Sequence, residues 1–209
     1  MTIARPILLS LVTLATLALL SACGTGGVTE PSEDASITVK NARPDSSAGW
    51  LYFSLDGDSA VAPERADTDE WDIRMAYLQC CGNTRQIDIH LNSGNAGVGS
   101  TQGIAYKSRY ENMTRIPTGV ELRDEDTTIG NRIVTIQVLG DEAIFVYQGR
   151  PHHTLQPNAN RVLLIRTRNQ NVYKFQFTSV YKDAEPSPTQ ETPIGYYHFR
   201  YQQATNGEW

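Results

Sequence analysis

Positive charge is in short supply in this chain. Eighteen Lys and Arg stand against 23 Asp and Glu, a net charge of −5 over 209 residues, which argues against the broad cationic surface that nucleic acid requires. Long apolar spans of the kind a polytopic membrane protein needs are also missing. Charged residues are only 20% of the chain and hydrophobic ones 40%, too apolar a balance for a wholly disordered polymer. Methionine is scarce at three, whereas tyrosine reaches ten and glycine sixteen, a bias towards strands and turns. Catalytic signatures are absent as well. No Gly-x-Ser-x-Gly elbow, His-Glu-x-x-His or Cys-x-x-Cys occurs, so no motif marks an enzyme.

What is present begins at the amino terminus. Arg5 precedes an apolar run over 7–20 that is too short to read as a spanning helix and has the layout of a secretory signal. The run closes on Leu20-Ser21-Ala22-Cys23, which resembles the lipobox of bacterial lipoproteins. Residues 1–22 are therefore expected to be a signal peptide and Cys23 a lipidated first mature residue that tethers the chain to a membrane. Gly24 follows in place of Asp, which in proteobacterial sorting favours the outer membrane, with the domain facing the periplasm or the cell surface. Residues 23–35, Gly-rich and then polar, read as a flexible tether. The folded part spans 36–209, enough for one core.

Within it no convincing amphipathic helix appears, and strand-like runs recur at 50–55, 71–78, 87–91, 133–138, 144–147, 162–165, 172–181 and 194–201. Gly, Asn, Asp or Pro bounds each of them. Trp71, Ile73, Met75 and Tyr77 alternate onto one face, and Tyr173, Phe175 and Phe177 alternate with Lys174, Gln176 and Thr178. Tyr197, Phe199 and Tyr201 face away from Tyr196 and His198. The expectation is an all-β fold, a single mostly antiparallel domain.

Two local features leave their chemistry open. Asp124-Glu125-Asp126 with Asn131 offers oxygens for calcium, but lacks a full ligand-loop spacing and suits a solvated turn better. Cys80-Cys81 can be buried thiols, a vicinal disulfide or soft metal ligands; adjacent cysteines close no loop worth stapling.

A set of ordered landmarks is more informative. Trp71-Asp72-Ile73-Arg74-Met75 is followed by Leu91-Asn92-Ser93-Gly94, then Val162-Leu163-Leu164-Ile165-Arg166-Thr167. Next come Tyr173-Lys174-Phe175-Gln176-Phe177, Ser179-Val180-Tyr181-Lys182 and Tyr196-Tyr197-His198-Phe199-Arg200-Tyr201. Together, over about residues 50 to 202 and behind a lipoprotein signal, they resemble the HmuY-type haem-binding lipoproteins. The resemblance implies a non-enzymatic protein that clasps haem (haem b) and relays it to a TonB-dependent outer-membrane receptor.

Haem iron takes one or two axial donors, commonly His or Met, and its propionates take cations. His152 and His153 lie between two strand runs, on a segment expected to be a loop that can approach a ligand. His153 matches best the family segment that bears an axial ligand in some members. By the same resemblance Met113 lies near the family's first ligand-bearing loop. Met75 falls on the apolar strand face and is expected in the core. His90, alternating with Gln86 and Asp88, is expected on a solvent face, and His198 in a structural strand. Tyr106 and Tyr110 are candidates to stack on porphyrin, and Arg115 and Arg150 to pair with propionates. The rival reading is a surface lipoprotein that binds glycan or a protein partner through aromatics such as Trp50 and Tyr196.

Overall fold

The computed structural model describes residues 29–31, 35–78, 87–128, 133, 136–137 and 143–209. Cys23, Cys80, Cys81 and Asn131 lie outside them, and so do the signal peptide and most of the tether.

Thirteen strands run through the described residues: β1 Thr29–Pro31, β2 Ile37–Ala42, β3 Trp50–Ser54, β4 Ser59–Val61, β5 Ile73–Ala76, β6 Ile89–Leu91, β7 Gln102–Lys107, β8 Ile136–Gln137, β9 Phe145–Gln148, β10 Thr154–Pro157, β11 Arg161–Arg166, β12 Val172–Tyr181 and β13 Ile194–Gln203. The fold is all-β, as the alternation predicts; the described helical turns are the short 3-10 segments Pro63–Arg65 and Lys182–Ala184. A six-stranded antiparallel sheet has the order β1-β2-β13-β12-β11-β7, a four-stranded sheet the order β4-β3-β5-β6, and a three-stranded sheet the order β10-β9-β8. All pairs are antiparallel except β8 with β9. The tether expectation needs one correction. Thr29–Pro31, placed by sequence within the tether, pairs with β2 as an edge strand of the large sheet.

Alternation along β12 and β13 places Tyr173, Phe175, Phe177, Tyr197, Phe199 and Tyr201 on one face of the large sheet. Phe53, Ile73 and Met75 of the four-stranded sheet close over these rings, with Ile144 and Phe145 beside them. Phe175 stacks on Phe199 at 4.9 Å, and Phe53 meets Phe199 edge-on at 5.2 Å, the offset and T-shaped arrangements that ring quadrupoles favour. Tyrosines on this face stay buried because their hydroxyls find partners across the core. Tyr197 donates to the Ala76 carbonyl at 2.7 Å, Tyr173 to Asp56 at 2.9 Å, and Tyr201 to Asp58.

The opposite face of the large sheet is covered too. Val162 and Leu164 of β11, alternating with Leu163 and Ile165 of the main core, pack with Tyr110 and Met113 in a second cluster. Lys174 and Gln176 are buried on that side, although alternation alone would leave them in water. The Lys174 ammonium donates to the Met113 carbonyl at 3.1 Å and lies 4.3 Å from the Tyr110 ring centre, contacts that offset its desolvation.

A knot of buried polar groups ties together the segments that flank these strands. Asp72 accepts from the Leu55 amide at 2.8 Å and from the Thr101 hydroxyl at 3.0 Å. Asn92 donates to the Thr68 and Trp71 carbonyls and accepts from the Gly99 amide. Glu125 accepts from the Leu91 and Ile133 amides at 3.1 and 2.8 Å.

Burial pushes the Asp72 carboxyl up to about 6 from its ordinary 3.8, more strongly than its hydrogen bonds pull it down. The folded chain thus holds this proton more tightly than the unfolded chain does. Stability from Asp72 is full below 3.8 and is lost as pH rises through about 6. Asp72→Asn retains polar partners for Leu55 and Thr101 without the charge, and urea melts across that window should lose this downward slope. Asp72→Ala should cost about 1–3 kcal/mol at every pH by leaving buried groups unpaired.

Candidate functional site

Strands β9 and β10 form a hairpin whose register pairs Tyr147 with Leu155 and Gln148 with Thr154. Its turn carries Gly149, Arg150, Pro151, His152 and His153, and the amides of both histidines donate to the Gly149 carbonyl, at 3.0 and 3.1 Å. His153 adopts a left-handed backbone with φ of 49°, a region where His is enriched among non-glycine residues. Arg150, His152 and His153 are all exposed. The hairpin is fixed to the main body by Tyr181 of β12, whose hydroxyl accepts from the Leu155 amide at 2.8 Å. Leu155 itself packs against the main core. Both imidazoles thus lie on a turn and are open to solvent.

Met113 stands elsewhere. Its side chain is 4% exposed and packs in the second cluster on the far face of the large sheet. Its carbonyl meets Lys174, whereas the histidine hairpin meets Tyr181, seven residues further along β12. At a rise of about 3.3 Å per residue that separates the two points by roughly 20 Å, with the sheet between them. The structure does not bring Met113 and His153 together.

The pocket candidates divide in the same way. Tyr110 is 1% exposed and hydrogen-bonded to Ser36 at 2.9 Å, and the Arg200 guanidinium lies 4.1 Å from its ring centre. Tyr106 packs beside it. Arg115 is exposed but bridges Glu208 through its backbone. These residues belong with Met113; only Arg150 accompanies the two histidines.

His90 is buried at 3%, not on a solvent face: Asp88 binds its Nε2 at 2.9 Å and Trp50 covers it. His198 is buried against the Tyr181 carbonyl, and burial holds its pKa below the ordinary value. Met75 is fully buried in the core, as the strand face predicts. The acidic run has no common focus. Asp124 takes Gln102, Glu125 takes backbone amides, and Asp126 takes Asn95 and Thr128, and no described group of three or more His, Cys, Asp or Glu is arranged to hold a metal ion. Trp50 and Tyr196, the aromatics of the rival reading, each carry an arginine at 4.4 Å, Arg74 and Arg43 respectively.

One contact was not legible in advance. The Tyr147 hydroxyl and His153 Nδ1 share a hydrogen bond. The signal available in sequence is hairpin spacing, which returns His153 beside the strand that carries Tyr147.

No family model matches the chain, and no curated protein matches it. Among solved structures it is similar to a candidate HmuY-like haem-binding protein from Bacteroides vulgatus, at 12% identity and a TM-score of 0.50, over 85% of this chain and 97% of the other. Its fold is one it shares with an HmuY-like protein. A candidate lipoprotein from Bacteroides fragilis aligns at 17% identity and a TM-score of 0.48, over 84% of this chain and 93% of that one. An apo HmuY analogue from Tannerella forsythia aligns at 12% and 0.45, over 86% and 97%. At such identities the likeness is one of fold.

Among the described residues the exposed imidazoles are those of the hairpin, with the exposed Arg150 and the half-buried Tyr147 and Leu155 beside them. Imidazoles and a guanidinium are the side-chain types that an iron porphyrin with propionates would require. Met113→Ala should instead behave as a core deletion. It is expected to cost about 2–5 kcal/mol in urea denaturation, and Met113→Leu less than about 1.5 kcal/mol.

Proposed function

We propose that the protein is a lipid-anchored haem-binding protein that captures haem and passes it to a TonB-dependent outer-membrane receptor. The observation that carries the reading is the exposed His152-His153 pair at the tip of a hairpin on an HmuY-like fold. In this reading His153 is the first axial ligand, His152 the second candidate, and Arg150 the partner of a propionate. The lipobox-like segment ending at Cys23 supports the membrane anchor, and relay follows from the family that the landmarks resemble. The role is binding, with no reaction catalysed. A site on a turn suits cargo that must be taken up and given away, because its donors can open without disturbing the core.

An absorbance titration of the purified protein with haemin tests this. The expected result is a saturable Soret shift at one equivalent that is lost in His153→Ala, weakened in His152→Ala and retained in Met113→Leu. A shift no larger than that of a control protein would sink the haem reading. A full shift in the double His152→Ala, His153→Ala variant would keep haem and reject the hairpin as its site.

A further inference from the structure

The geometry points to Tyr147 as the positioning residue for His153: its phenol oxygen accepts the Nδ1 proton and leaves the Nε2 lone pair free for iron. This rests on the haem reading of the hairpin and assigns it a residue that sequence alone did not single out.

A neutral imidazole carries one proton, and the nitrogen that carries it cannot bind a metal. Which nitrogen that is depends on the hydrogen bond made by the other. Here a phenol is in place on the Nδ1 side; it can accept from Nδ1–H or donate to a bare Nδ1, and the proposed role is the first of these, the one that leaves Nε2 free. The two rings are 6.1 Å apart between centroids and inclined at 45°, so the hydroxyl and not a stacked face makes the contact. His152 has no comparable side-chain partner among the described residues, which separates the two neighbouring imidazoles and makes His153 the pre-set donor.

The phenol is also a fixed post. Tyr147 sits on strand β9 opposite Leu155, and the Leu155 amide is tied to the Tyr181 hydroxyl at 2.8 Å. His153 occupies the turn, where its amide bond to the Gly149 carbonyl and its left-handed backbone fix the direction of the side chain. A hydrogen bond from strand to turn therefore orients an exposed imidazole that would otherwise rotate freely. Partners of this kind hold the ring angle, select the tautomer and raise the basicity of the ligating nitrogen.

Tyr147→Phe removes the hydroxyl and nothing else. Long-range nitrogen–proton NMR of the haem-free protein should show His153 protonated on Nδ1 in the wild type and shifted towards the Nε2–H form in the variant. Haemin affinity should fall about 10–100-fold with an unchanged melting temperature, and the midpoint potential of the bound iron should move upward as the imidazole donates less. An Nε2–H tautomer in the wild type, or equal haemin affinity in wild type and Tyr147→Phe, overturns the positioning role and leaves the haem reading standing. Absence of any Soret shift in the wild type overturns the haem reading and this role with it.

Discussion

Two buried carboxylates and one buried amide impose the demand that the rest of the structure meets. Asp72, Asn92 and Glu125 are each at most 3% exposed, and none has a paired cation among its hydrogen-bond partners. A carboxylate taken out of water is costly unless donors replace the lost hydration. The donors here are backbone amides and a hydroxyl from distant segments: Leu55, Leu91, Ile133 and Thr101. Each bond therefore closes a loop as well as satisfying an oxygen. Gly94 shows how tightly the loops approach. Its φ is +58°, and a Cβ built there would lie 1.9 Å from the Glu125 carbonyl oxygen, so only glycine fits beside the Ser93 hydroxyl that caps the Glu125 amide.

This places the sequence landmarks in a different light. Trp71-Asp72-Ile73 and Asn92-Ser93-Gly94 resemble landmarks of haem-binding lipoproteins, yet their side chains build the polar knot and the core, not the histidine turn. Trp71 donates to the Ala66 carbonyl at 2.9 Å, and Asn92 binds the Trp71 carbonyl at 2.8 Å. The landmarks are marks of the scaffold. They carry the fold, which agrees with an HmuY-like protein, and they say little about the donor set.

All eight strand-like runs read from sequence contain observed strands, because alternation there was strong and turn residues were close by. Five strands escaped for reasons that differ. In β7 Gly103 interrupts the pattern, yet a Cβ there would come within 2.6 Å of the Leu91 side chain and 2.9 Å of the Leu164 carbonyl oxygen, so close packing selected the residue that weakens the strand signal. Strands β1, β4 and β10 have only three or four residues, and β2 carries Lys40 and Asn41 near its end. Their state is decided by pairing with neighbours, which a local reading does not see. The same blindness misplaced His90 and hides the burial of Lys174 and Gln176. Alternation divides a strand into two faces, but does not reveal when a second layer covers the polar one.

Site residues were harder to read than strands because a ligand pair is a statement about distance in space. Met113 and His153 had suitable chemistry and plausible loops, and nothing in their spacing revealed the sheet that stands between them. The hairpin turn was legible, since its polar residues lie between two apolar runs. Its separation from the knot is also physically consequential. Asp72, Asn92 and Glu125 hold the sheets together through groups buried far from solvent, whereas His152 and His153 contribute little buried surface. Exposed substitutions away from buried networks usually change stability by no more than about 0.5 kcal/mol. In the haem reading, affinity and release can therefore be tuned at the turn while the knot and the apolar core set the stability of the body. Tyr147 is where the two meet: it reaches the turn through its hydroxyl and pairs with Leu155 of the neighbouring strand, which is anchored on Tyr181, so it transmits the rigidity of the sheet to one imidazole without placing that imidazole in the core.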